Sequence, residues 1–287
     1  MKNMRMSIAR MGLMMGAFAA LVGCQDMDRP ELGNYPVDEN PVGGPLKFYV
    51  PFDMDSEDPL MIAVDQIRAK FPTENNFTTT AGVTENGVQG VADAMINYSK
   101  PNDWAATADS FTVAFWEKHD GQTRNGANPG AEHIFSIPSS NGHWSGGTMM
   151  LLFDAYGGSA TAAAVKFVMV DADMADTWMT WENADSIEGL LDNQWHHFAF
   201  SYDASTSTMT LYIDGAVHGT KTWGTHGGVN LDDSKVTGFR IGHGPQAQNG
   251  AGDNWLSSSW KGSLDQFRLY STALTAAEVQ DLFANQQ

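Results

Sequence analysis

The chain has one cysteine in 287 residues and is poor in cations: 16 Lys and Arg stand against 34 Asp and Glu, a net charge of −18, and charged residues make up only 17%. Each shortage removes a class of protein. One cysteine forms no internal disulfide and supplies no thiolate zinc cluster. So acidic a surface repels a phosphate backbone, and no block of Lys or Arg follows the first ten residues, which argues against nucleic acid as a partner. The uncharged stretch Met11 to Val22 is shorter than the ~20 apolar residues of a spanning helix. Gly-x-Ser-x-Gly, Gly-rich phosphate-loop and His-Glu-x-x-His motifs are missing too. The length suffices for a core without covalent staples, since at this size roughly 75% of the unfolded surface can be buried.

What is present begins with Lys2, Arg5 and Arg10, followed by the apolar stretch and then Leu21-Val22-Gly23-Cys24. A basic start, a short apolar core, a small residue and a cysteine, in that order, mark an export signal over residues 1–23. The ending resembles the lipobox of bacterial lipoproteins, which implies cleavage before Cys24 and acylation of its sulfur; the alternative is a free thiol near an ordinary cleavage site. Removing residues 1–23 takes away three cations and no acid, deepening −18 to −21. The acidic Gln25-Asp26-Met27-Asp28 is similar to surface-export signals of Bacteroidetes lipoproteins, so the expectation is lipid anchoring in the outer membrane, facing the cell surface. Residues 24–45, with Pro30, Pro36, Pro41, Pro45, Gly33, Gly43 and Gly44, carry no periodic apolar face and read as a flexible tether. Residues 46–287 are the expected folded domain.

That domain reads as strands. Phe111 to Trp116 alternates Phe111, Val113 and Phe115 on one face with Thr112, Ala114 and Trp116 on the other. Met149–Phe153, Val165–Val170, His196–Tyr202, Met209–Ile213, Gly238–Ile241 and Leu264–Tyr270 have strand length, separated by Gly- and Asn-rich turns. Asp203 to Ser207 closes a hairpin, and Asp214-Gly215 supplies the next turn. Helix is scarce: Thr275-Ala276-Ala277-Glu278 forms a capping box before a helix that sets Leu274, Val279 and Leu282 against the sheet. Short strands and one late helix predict an all-β, two-sheet antiparallel jelly-roll sandwich.

Asn193-Gln194-Trp195-His196-His197-Phe198-Ala199-Phe200-Ser201-Tyr202-Asp203, with Leu211-Tyr212-Ile213-Asp214-Gly215, resembles the central hairpin of laminin G-like domains of the concanavalin A-like lectin and glucanase superfamily. Gly262 to Tyr270 followed by Leu274 to Val279 is similar to the family's final strand and closing helix, and Phe111 to Lys118 to its early core strand. The likeness covers roughly residues 46 to 285. It implies a jelly roll that hosts lectins, adhesion modules and glycosidases alike. It also implies a structural calcium at Asp53, after the first strand, and Asp265, at the start of the last. Ca²⁺ takes about six to eight hard oxygens, so two carboxylates would be completed by carbonyls and water. The alternative is that Asp53 caps a turn while Asp265 pairs with Arg268 or Arg240. Asp53 to Asp58 is not an EF-hand: its sixth position is not Gly, and Val64 stands where the bidentate Glu belongs.

No catalytic arrangement stands out. His196 and His197 are adjacent on a strand, point to opposite faces and cannot share a metal. Asp171-Ala172-Asp173-Met174-Ala175-Asp176 has the spacing of the Glu-x-Asp-x-x-Glu motif that the resemblance brings from laminarinase-like glucanases, whose two carboxylates stand about 5 Å apart. Here the outer residues are the shorter Asp, and the stretch reads as a solvated loop. Binding is the remaining reading. Trp144, Trp178, Trp181, Trp223, Trp255 and Trp260 fall in loops or strand ends beside His143, Asn183, His226, His243, Asp253 and Asn254, the residue types that stack on and hydrogen-bond to sugars. About half of these tryptophans, together with Trp116 and Trp195, are expected to be structural. Trp178 and Trp181 take opposite faces if that stretch is extended. The expected partner is a glycan or polysaccharide, held near polysaccharide-utilisation enzymes or a transporter. A glycoside hydrolase and a protein-binding adhesion module are the alternatives.

Overall fold

Alternation of large apolar with small or polar residues builds strands that bury one face, and two such sheets stack into a sandwich. The computed structural model describes residues 44–53, 77–101, 103–122, 130–155, 159–247 and 255–286. Residues 1–23, Cys24, the tether up to 43, residues 54–58, Asn76, Asp253 and Asn254 lie outside the described residues.

The first sheet runs β12 (Ala216–Thr222), β11 (Thr208–Ile213), β10 (His196–Asp203), β5 (Phe111–Lys118), β14 (Ser263–Tyr270), β3 (Asn86–Gln89), β2 (Thr78–Ala81), and β1 (Leu46–Val50) also pairs with β14. The second runs β4 (Ile96–Tyr98), β13 (Phe239–Ile241), β6 (Glu132–Pro138), β7 (Gly147–Ala155), β8 (Ala163–Val170), β9 (Asp176–Trp181). All the strand pairs between these elements are antiparallel.

The expected strands are all present, and so is the two-sheet sandwich. β6, β9, β12 and the short β1 to β4 come in addition. A one-turn helix α1 (Trp104–Thr107) precedes β5, so the C-terminal helix α2 (Ala276–Asn285) is not the only one. The capping box at Thr275 and Glu278 forms as read, with Val279 buried and Leu274 and Leu282 packed on the outer side of the first sheet beside Ala114, Ala199 and Tyr212. Between the sheets lies an aromatic core in which Phe115 stacks on Phe198 and Phe267, with centroids 5.6 and 5.7 Å apart.

His197 is buried between Trp116 and Phe283 of α2, yet neither ring nitrogen has a hydrogen-bond partner among the described residues. His196, on the opposite face, is hydrogen bonded between Asp214 and Asp192.

Candidate functional site

The outer face of the second sheet is where the sequence departs from sandwich logic. An open sheet face normally alternates apolar-in with polar-out, but β7 is buried at every residue. Its outward Met150 and Leu152, with Val168 of β8, form a second apolar cluster with Ala131 and Leu256, and Trp255 packs against it. Trp178 stands opposite Val168 on β9.

Three tryptophans converge there from three parts of the chain. Trp144 comes from the β6–β7 connection, Trp178 from the middle of β9, and Trp255 from a 3-10 turn, Trp255–Ser257. Trp144 and Trp178 are parallel within 4° with centroids 6.4 Å apart, and Trp255 lies 6.2 and 6.0 Å from them, inclined by 53° and 50°. Trp144 is 54% exposed and Trp178 37%. Soluble domains rarely leave large apolar side chains clustered on the surface without a use for them.

Trp144 and Trp255 are held by their surroundings. The His143 imidazole lies 3.3 Å from Asp176 and 2.8 Å from Ser145 Oγ, and the Gln246 amide donates to the carbonyls of Trp144 and Ser145, which fixes the connection carrying Trp144. Trp255 stacks on the ring of His133, 6.0 Å away and inclined by 14°, while His133 Nδ1 meets Ser258 Oγ at 2.9 Å. Burial, aided by the nearby charge of His243, pushes the His133 pKa down to about 3, so the ring under Trp255 is neutral in any ordinary buffer. Gly244 sets the approach of this segment: a Cβ there would lie 2.1 Å from the Leu256 carbonyl oxygen. Gly244→Ala is expected to push the Trp255 turn outward at a cost of about 1–3 kcal/mol; a lowered melting midpoint and a red-shifted indole emission would register it, and an unchanged spectrum would count against this placement.

The other residues singled out from the sequence are placed elsewhere. Trp178 and Trp181 lie within a strand rather than in a loop and do take opposite faces, so Trp181 is a core residue, 3% exposed and edge-on to Phe200. Its candidacy as a ligand residue is corrected by that burial. His243 is corrected likewise: it is fully buried, and its Nδ1 donates to the Gly244 carbonyl. Trp260 and Trp116 are buried, and Trp195 is half-buried. Trp223 is half-buried and stacked on His226 at 3.5 Å, and His226 meets Asp171 at 3.0 Å; this pair is not in the three-indole patch.

The chain from 171 to 175 is a loop exposed at 172–175, as read, with Asp171 buried at its base. Asp171 is buried and accepts from the amides of Asp173 and Ala175 as well as from His226, whereas Asp176 opens β9 and holds His143. The carboxylates of Asp171 and Asp176 tie loops together.

What the sequence alone did not single out is the support: His133, Ser258 and the apolar floor of Met150, Leu152 and Val168. The signal available was the run of apolar residues at both parities in Met149–Phe153 and Val165–Val170, which marks strands covered on both faces.

The model of the concanavalin A-like lectin/glucanases superfamily matches residues 93–280. The chain belongs to this superfamily. None of the curated proteins matches it. Among solved structures it is similar to the binding domain of Paraclostridial Mosquitocidal Protein 1, with 14% identity, TM-score 0.52, and coverage of 76% of this chain and 48% of that one. It is also similar to the receptor binding domain of the botulinum neurotoxin C/D mosaic serotype, at 13%, 0.52, 84% and 51%. A third is the binding domain of botulinum neurotoxin DC in complex with SialylT, at 11%, 0.50, 76% and 47%. The chain spans about half the length of these structures, and identities this low establish a shared fold.

Asp53 and Asp265 both hold the β2–β3 turn. Asp53 accepts from the Asn86 amide at 3.0 Å, and Asp265 Oδ2 from the Val83 amide at 2.7 Å. Neither arginine reaches Asp265: Arg268 donates to Gln266, and Arg240 to the carbonyls of Gly244 and Pro245. Asp265 is fully buried, its Oδ1 has no partner among the described residues, and burial together with the charge of Asp53 raises its pKa to about 7. Among the described residues no group of three or more His, Cys, Asp or Glu gathers here or elsewhere. An orphaned, buried carboxylate oxygen within electrostatic reach of a second carboxylate fits a hard cation that takes its other oxygens from carbonyls and water.

Proposed function

We propose that this domain binds carbohydrate without transforming it, at the patch of Trp144, Trp178 and Trp255. The observation that carries the reading is the convergence of three indoles, two of them exposed and parallel, on an apolar floor at the outer face of the second sheet. A pyranose offers C–H faces that stack on indole and a rim of hydroxyls that need polar partners. Two residues along β8 from Val168, Lys166 lies between Asp154 at 3.0 Å and Glu182 at 3.3 Å, supplying charged hydrogen-bonding groups beside the apolar surface. Affinity of the order of micromolar to millimolar, roughly −8 to −4 kcal/mol, suits so open a site.

Two features support binding over hydrolysis. Asp171 is saturated by two amides and an imidazole, and Asp176 is engaged by His143. On a glycan array, binding is expected to survive Asp171→Asn and Asp173→Asn with no reducing sugar released; product release abolished by those changes would make the protein a glycosidase. Capture of a protein partner with no glycan bound would make it an adhesion module.

The same proposal places the domain on a lipid anchor at Cys24, on the outer membrane and facing out, where it would hold polysaccharide near degrading enzymes or a transporter. The order of residues 2 to 28 supports this. Cys24→Ser is expected to move the protein from the membrane to the soluble fraction and to end labelling by a fatty-acid probe; unchanged fractionation would refute the anchor. Asp53 and Asp265 would hold a structural Ca²⁺, which supplies the positive charge that two adjacent carboxylates need.

A further inference from the structure

We infer that a second ligand site, distinct from the tryptophan patch, lies between the end of β5 and the start of β14 and takes a single neutral sugar unit by its hydroxyl edge. A cavity of about 510 Å³ opens there, within the range of small-molecule sites, with Lys118, Asp120, Asn193 and Lys261 among its lining. No Trp, Tyr or Phe is among the lining residues, so stacking is unavailable and recognition falls to hydrogen bonds.

The floor is built and buried. Glu132 meets His119 Nε2 at 2.9 Å and accepts from both the ammonium and the amide of Lys261, each at 2.9 Å. Burial alone would raise the Glu132 pKa, but His119 and Lys261 outweigh it and hold the carboxyl below its usual range. Gln122 donates to the Phe153 and Gly130 carbonyls. Even so, His119 Nδ1 and Gln122 Oε1 have no partner among the described residues, although both residues are only 6% exposed. In the tautomer that gives Nε2–H to the Glu132 carboxylate, Nδ1 is an acceptor, and leaving two buried acceptors unmade costs stability, so a native structure rarely does so without a use for them.

The walls are fixed as well. Gly121 N donates to the Leu191 carbonyl at 3.0 Å, Asn193 N to that of His119 at 2.9 Å, and Gly90 N to that of Gly262 at 2.9 Å.

The charge balance sets the ligand class. Glu132 and Lys261 neutralise one another, leaving Lys118 and Asp120, one cation and one anion, with no ion-pair partner among the described residues. Donors and acceptors at zero net charge match a polyol better than a carboxylate, a phosphate or an amine. The site is separate from the indoles because Glu132 and His133 are consecutive on β6, and their side chains serve the cavity and Trp255 respectively. It does not depend on the tryptophan reading.

Saturation-transfer NMR of the full protein with D-glucose, D-galactose and D-mannose tests it. At least one of the three is expected to give a signal that persists in Trp144→Ala/Trp178→Ala and falls tenfold or more in Lys118→Ala/Asn193→Gly. Glycine keeps the turn at residue 193, where φ is 64°, and an unchanged melting curve would confirm that this variant is folded. No signal from any of the three with the wild-type protein would overturn the site. So would a signal lost in the tryptophan variant and kept in the Lys118/Asn193 variant. Polysaccharide binding through the indoles is read separately and can stand or fall without it.

Discussion

Trp144→Ala combined with Trp178→Ala is expected to weaken polysaccharide binding sharply and to leave the fold intact. Each truncation removes a stacking face worth about 1–2 kcal/mol beyond what a smaller side chain retains. Together they are expected to weaken binding by roughly 2–4 kcal/mol, about 30- to 1000-fold, which takes a micromolar interaction to about 30 μM–1 mM and carries a millimolar one out of range. Stability moves far less, because both side chains are substantially exposed and neither belongs to the central core. Trp181→Ala is the contrasting control: it opens a cavity against Phe200 and costs about 3–5 kcal/mol of stability. Calorimetric titration against soluble polysaccharides, with melting curves on the same samples, separates the two. Full binding by the double variant would end the tryptophan reading.

The second large effect concerns Asp53 and Asp265. Chelation is expected to lower the melting midpoint by about 5–10 °C, as loss of a cation present at 100 times its dissociation constant removes about 2.7 kcal/mol. In metal-free protein Asp265 titrates near 7 folded and near 3.8 unfolded. The folded state therefore binds this proton more tightly, and the stability it contributes grows as pH falls through 7 and is complete below 3.8. Bound calcium reverses that trend, since protons then compete with the metal. His133 and His197 pull the other way: both are held near 3 by burial, so stability is lost as pH falls below their unfolded value of 6.5. The clean measurement is thus the difference between wild type and Asp265→Asn, with and without chelator, from pH 5.5 to 8. Identical midpoints with and without chelator in the wild type would dismiss the cation.

Legibility in the sequence followed the physics of each element. Strands such as β5 and β10 declare themselves because one face is core and alternation is enforced along the whole strand. β9 was hidden because Asp176, Thr177 and Thr180 dilute its apolar content, and β6 because it begins with Glu and ends with Pro138. The site was legible only as a set of residue types. Trp144, Trp178 and Trp255 meet because the sheet order runs β7, β8, β9, and because Gly244 lets the 255–260 segment close over their outer face. Neither fact is local in sequence. The same nonlocality hid the burial of Trp181 and His243, whose neighbours in the chain look like those of surface residues.

The pairing of β1 with β14 has a geometric consequence for a tethered molecule. The chain enters the domain at Leu46, in the first sheet, whereas the indoles look outward from the second. A tether before Leu46 would therefore pull on one slab of the sandwich while a ligand at the indoles would load the opposite slab. In an anchored protein, force between the anchor and a captured polymer would run through the thickness of the aromatic core, pulling on interlocked rings rather than peeling hydrogen bonds from a sheet edge.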